Sequence, residues 1–311
     1  MLNKFFLMLL LSILALPLRA EELPYLLTVA AQGDMETLQA MLQAGTDPDT
    51  KDADGITALM YAARKDQAEA AKALLQKGAN VNAKDSGGWT PLMFAAKKNY
   101  VMTAKVLLEH GADPKIREAT GWSALGMAAT SGFSEMIDLL IKQGVDPNSK
   151  SDDGKSVLMY AAKNGDVPTI KTLLDNGAST FLRDRFGATA LMYAAREGNV
   201  EAIKLLLDKG AKIDSIDHQE WTALTWAVKK SQVEAAKELI ARGDDVNHED
   251  SEGTPLLQIA VVNKDVPMVK LLLQSGVKVK ERDQYGLTAY VYALKGKDPE
   301  IVQLIIDAGG K

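Results

Sequence analysis

The chain has no cysteine in its 311 residues. That excludes disulfides, thiolate metal sites and a cysteine nucleophile. It has only three histidines, His110, His218 and His248, and none stands at the helical spacing of a metal pair. No serine sits in a Gly-x-Ser-x-Gly elbow, and no glycine cluster makes a phosphate-cradling loop. These absences lead us to expect no catalytic residues, no metal and no cofactor. Aromatic residues make up only 6% of the chain. Basic charge is in deficit, with a net charge of −5, which disfavours nucleic acid as a partner.

Long apolar runs are also missing, with one exception near the start. Phe5 to Leu16 is a run of 12 residues broken only by Ser12. A membrane-spanning helix needs about 20 apolar residues. Lys4 precedes the run, and Pro17, Leu18, Arg19 and Ala20 follow it. Residues 1–20 therefore read as a secretory signal peptide cut after Ala20, with the periplasm as the expected location. An uncleaved anchor is the other reading of this segment. A lipid-anchored cysteine is excluded. Loss of Lys4 and Arg19 would leave 34 Lys and Arg against 41 Asp and Glu, a net charge of −7.

What the chain does have is a ladder. Gly45, Gly78, Gly111, Gly144, Gly177, Gly210, Gly243, Gly276 and Gly309 are each 33 residues apart. A fixed period over most of a chain marks one unit repeated and stacked, with no closed globular core.

Residues 85–117 illustrate the unit. Asp85-Ser86-Gly87-Gly88 is a turn sequence, Thr90 is placed to cap a helix, and Pro91 suits its first position. Leu92, Ala95 and Ala96 form one narrow apolar face. A second helix carries Ala104, Leu107 and Leu108 and stops at Gly111. The link from Ala112 to Arg117 is expected to be extended. Such short helices are marginal alone and must bury their faces against adjacent copies.

The period, with Thr90-Pro91-Leu92-x-x-Ala95-Ala96 and Leu107-Leu108-x-x-Gly111-Ala112-Asp113, resembles the ankyrin repeat. The resemblance implies an all-α solenoid of helix-turn-helix units joined by β-hairpin-like turns. It covers residues 23–311 within an expected domain of 21–311. There is a partial unit at 23–51, with full units starting near 52, 85, 118, 151, 184, 217, 250 and 283. Relatives are mostly non-enzymatic protein-binding scaffolds, so a protein partner and a monomeric solenoid are expected.

Several departures from the family pattern carry expectations. The family's histidine is replaced by Met60, Met93, Gly126, Met159, Met192, Thr225, Gln258 and Val291, so the hydrogen bonds it supplies should be missing. Glu220 replaces a hairpin glycine and Pro255 a cap, which makes 217–260 the expected point of local opening. Asp52, Asp85, Glu118, Asp184, Asp217, Asp250 and Asp283 share one turn position and should bond turn N–H groups locally.

Candidate binding residues come from columns outside the Leu-Ala-Ala face. Trp89, Trp122 and Trp221 follow the hairpin turn, where they either contact a partner or cover the neighbouring hairpin. The column Tyr61, Phe94, Met127, Tyr160, Tyr193, Trp226, Ile259 and Tyr292 is expected from the resemblance to pack between hairpins. Three residues on lie Arg64, Lys97, Lys163, Arg196, Lys229 and Lys295, six basic members of an eight-residue column in an acidic chain. They read as a groove for an acidic protein segment, or as a solvated face with buried apolar stems. The partner would be an envelope enzyme needing an accessory or protective protein, or a toxin needing an immunity-type inhibitor. The alternative is a glycan, small-molecule or envelope-polymer binder that stacks on the tryptophans. A second basic column, Lys72, Lys105, Lys171, Lys204, Lys237 and Lys270, is read as a solvated outer face.

Overall fold

A computed structural model describes residues 24–311. The proposed signal segment 1–20 lies outside them. Among the described residues there are 18 helices, two per unit, from the pair Tyr25–Gln32 and Met35–Gln43 to the pair Ala289–Gly296 and Pro299–Asp307. The first helix of each unit, here called inner, has seven or eight residues. Each second, outer helix has nine. Single antiparallel bridges, such as Lys51 to Thr57 and Arg282 to Thr288, close the base of some hairpins.

The core is a continuous ribbon. The inner-helix leucines from Leu59 to Leu257 and the outer-helix series from Leu74 to Ile305 are buried throughout. The alanine pairs Ala62-Ala63, Ala95-Ala96, Ala128-Ala129, Ala161-Ala162 and Ala194-Ala195 are all fully buried. Their small side chains let inner helices approach closely, and inner helices pack on one another more extensively than outer helices do. A row packed more tightly on one side bends the stack towards that side, so the inner helices line the concave face. Units 217–249 and 250–282 replace the second alanine with Val228 and Val261. The helices Ala223–Lys229 and Leu256–Val262 make the least extensive inner contact in the stack.

Caps follow the sequence reading in part. The N–H of Met60, Met93, Met159, Met192 and Thr225 donates to the hydroxyl of Thr57, Thr90, Ser156, Thr189 and Thr222 respectively. Ser123, Pro255 and Thr288 make no such side-chain bond. The ladder glycines hold left-handed backbone, as Gly111 does at φ +86°. A Cβ on Gly111 would meet nothing within 4 Å, so conformation alone selects glycine there.

Two expectations are corrected. The link after Gly111 is not uniformly extended: Ile116 N–H donates to Asp113 O at 3.4 Å and folds it once. Five of the eight residues in the family's histidine position do supply side-chain hydrogen bonds; Met93, Gly126 and Val291 do not. Met60, Met159 and Met192 accept the cap N–H on sulfur at 3.3–3.4 Å, and Thr225 accepts it on Oγ1 at 3.3 Å. A thioether is a weak acceptor, but in a dry core it spares the cap donor a full desolvation cost. Gln258 instead donates to Leu287 O of the next hairpin at 2.8 Å.

Candidate functional site

The concave face is built from the turn carboxylates upward. In each case one oxygen of Asp52, Asp85, Asp184, Asp217, Asp250 and Asp283 accepts two N–H groups of its own hairpin at 2.8–3.0 Å. Glu118 divides the same task between its two oxygens. The local turn role read from the sequence therefore holds.

The second oxygen does what the sequence reading did not foresee. Tyr61, Tyr193 and Tyr292 donate their hydroxyls to Asp52, Asp184 and Asp283 at 2.9, 2.7 and 2.6 Å. Trp226 donates its indole N–H to Asp217 at 3.0 Å. A spacing of nine residues thus ties the aromatic column of the inner helix to the turn of the same unit. Burial, followed by the bond to Asp184, holds the Tyr193 phenol above the ordinary tyrosine range. It is a neutral donor across the working pH range. The signal was present as recurrent Asp-x8-Tyr or Asp-x8-Trp pairs.

Cations lie on these rings. The Arg64 guanidinium is 5.8 Å from the Tyr61 ring centre and 5.5 Å from Phe94 in the next unit. Arg196 lies 5.5 Å from Trp226, Lys229 3.9 Å from Trp221, and Lys295 5.4 Å from Tyr292. Lys97 reaches Thr130 at 3.5 Å, and Lys163 is exposed. Among the described residues Arg196 alone of the six pairs with a carboxylate, Glu197 at 3.6 Å. On the outer column, by contrast, Lys171, Lys204 and Lys270 pair with Asp175, Glu201 and Glu300 at 2.6–2.7 Å. The concave stripe is therefore a row of cations, four of the six set against aromatic faces, of which only Arg196 pairs with a carboxylate among the described residues.

The three tryptophans do not form one exposed set. Trp122 is only 8% exposed, because its indole fills the space where a side chain at Gly126 would stand. A turn-tip tryptophan enters the core there because a glycine in the helix that follows it leaves the room. Trp122 also meets Tyr160 of the next unit edge-on at 5.1 Å. Trp89 rests on Phe94, and Trp221 on Trp226, each at 5.1 Å. The Trp221 indole N–H reaches Asp250 of the following hairpin at 3.3 Å. The most exposed tip aromatics are instead Phe186 and Tyr285, at 60% and 73%. Neither was singled out from the sequence, although reading the column two residues past the turn aspartate would have found both.

The histidines stay apart. His110 Nδ1 bonds Val106 O at 2.8 Å, and His248 Nε2 lies 2.5 Å from Glu220 O. Among the described residues no cluster of His, Asp and Glu has the arrangement of a metal site, and no helix is long and apolar enough to cross a membrane.

Comparison with curated proteins gives no match. A family profile described as ankyrin repeats, three copies, matches residues 26–118, 113–184, 158–250 and 234–311. Ankyrin repeats are protein–protein interaction scaffolds. The overlapping matches span the same stack that the capped inner helices and left-handed glycines build, and on that coverage the chain belongs to the ankyrin-repeat family.

Proposed function

We propose that the chain is a non-enzymatic, exported scaffold that holds an acidic segment of a protein partner along its concave face. The observation that carries this reading is the row Arg64, Lys97, Lys163, Arg196, Lys229 and Lys295, four of them set on rings and only Arg196 paired with a carboxylate among the described residues, in a chain of net charge −5. A rigid stack orders these groups before binding, so association gives up little side-chain freedom. Residues 1–20, read as a signal peptide, put the scaffold in the periplasm. There it serves as an accessory or protective partner of an envelope enzyme, or as an immunity-type inhibitor of a toxin. An adjacent enzyme gene supports the first role and an adjacent toxin gene the second.

Placement of the tryptophans argues against glycan or polymer stacking. Each packs on another ring, and none is among the well-exposed large side chains. The test is capture of envelope proteins on the immobilised mature chain at low and high salt. A partner should be retained at low salt, released at high salt, and lost from the Lys97→Glu/Lys163→Glu/Lys229→Glu variant. Retention that ignores both salt and charge reversal contradicts the proposal.

A further inference from the structure

The position after the hairpin turn holds Ile56, Trp89, Trp122, Lys155, Trp221, Thr254 or Leu287, and in one unit the much smaller Ala188. Trp89 and Trp221 show what a large residue does there. Each indole settles on the aromatic residue five positions on, with ring centres 5.1 Å apart. In the Ala188 unit the corresponding ring is Tyr193. No indole from its own hairpin covers it; the Lys155 ammonium of the preceding unit lies 6.0 Å from its centre, and a cleft of about 500 Å³ opens beside it. Met192, Tyr193 and Ala188 form its buried floor, Phe186 and Trp226 contribute further aromatic surface, and Lys155 and Arg196 stand at it.

The cleft differs from the repeating face in other ways too. Phe186 is 60% exposed beside it, where every other full unit except the last, with Tyr285, carries a polar residue or glycine. Asp184 and Asp217 also line it, but both oxygens of each already accept hydrogen bonds from their turn and from Tyr193 or Trp226. One unit to either side, Lys163 and Lys229 are exposed and make no ion pair among the described residues. A cleft of this size with aromatic walls and flanking cations has the make-up of an anchor pocket.

We propose that this cleft takes a single large aromatic side chain from the acidic partner segment. The ring would lie on Tyr193 in place of the indole that Ala188 lacks, and carboxylates on either side would meet Lys163 and Lys229. This rests on the concave-face reading above and adds the residue that fixes the segment's register.

The test uses fluorescently labelled polyglutamate peptides with one central tryptophan or one central alanine, titrated by anisotropy. The wild type should bind the tryptophan peptide about tenfold or more tightly than the alanine peptide. Ala188→Trp fills the cleft as Trp89 and Trp221 do in their units and should erase that preference, so that the two peptides bind alike. Ala188→Leu, which copies the residue type of Leu287, serves as the second variant, with thermal melts confirming that both fold. A preference that persists in both variants overturns the proposal. Equal binding of the two peptides by the wild type also overturns it, while leaving the acidic-segment reading intact. If neither peptide binds, both readings fail.

Discussion

Asp244 stands where the other full units have Ala79, Ala112, Val145, Ala178, Ala211, Val277 or Gly310. It is 7% exposed, and its carboxylate accepts the Leu224 N–H at 3.2 Å, at the start of the inner helix. Burial pushes its pKa up from 3.8 to about 7 against the opposing pull of that bond. The folded state therefore binds the proton more tightly than the unfolded chain. Its contribution is most favourable below about pH 4 and is lost as pH rises through about 7. Ala, the residue most often found in this column, carries no such penalty. Asp244→Ala should raise stability at pH 8 by about 1–3 kcal/mol and leave it nearly unchanged at pH 4. Thermal melts across that range check it; a parallel pair of pH curves contradicts it. Glu220 is a second strained residue, holding φ +58° where Gly88 and Gly187 hold +82° and +81°. Left-handed backbone costs a side-chain-bearing residue about 1–2 kcal/mol, and glycine returns part of that as unfolded-state freedom. Glu220→Gly should thus stabilise by about 0.5–1 kcal/mol in denaturant titration, and a loss of stability would show that Glu220 makes a compensating contact.

Between the helices, Glu220, Pro255, Val228 and Val261 fall in one stretch, and the inner helices Ala223–Lys229 and Leu256–Val262 pack least there. Amide hydrogen exchange should find residues 217–260 opening before 85–150. Equal protection of the two stretches rules out a local weak point. The faults in this stretch were legible because a departure from a repeat is visible in one chain: a missing glycine or a proline in a threonine column needs no partner to be noticed. The helices, their caps and their buried faces were legible for the same reason, since short-range spacing dictates them. Contacts that cross between units were not. Whether Trp122 points outward depends on Gly126 leaving room for it, and whether Met60 bonds its cap depends on a rotamer. Gln258 looks like a lost histidine in the sequence, yet it reaches the next hairpin at 2.8 Å. Such pairs are set by how one unit leans on another, which no single column records.

Across the whole molecule, each unit contacts chiefly its neighbours, so stability is a sum of local interfaces and the surface stays long and continuous. Charge is sorted on that surface. Three of the six outer lysines pair with carboxylates of their own or the next unit, against one of the six concave cations, and four of those six lie on rings. The basic column was legible in the sequence, but its lack of counter-charge was not, because ion pairing depends on where the acids of adjacent units stand. On the proposed function, this asymmetry distinguishes the concave face from the outer one. It is tested by titrating labelled polyglutamate against the wild type, against Lys97→Glu/Lys163→Glu/Lys229→Glu on the concave face, and against Lys105→Glu/Lys171→Glu/Lys237→Glu on the outer face. All three proteins would be measured over a range of salt. Concave reversal should abolish binding and outer reversal should leave the affinity within about twofold of wild type. Equal loss from both reversals, or binding that survives reversal of the concave face, contradicts a concave-face site for an acidic segment.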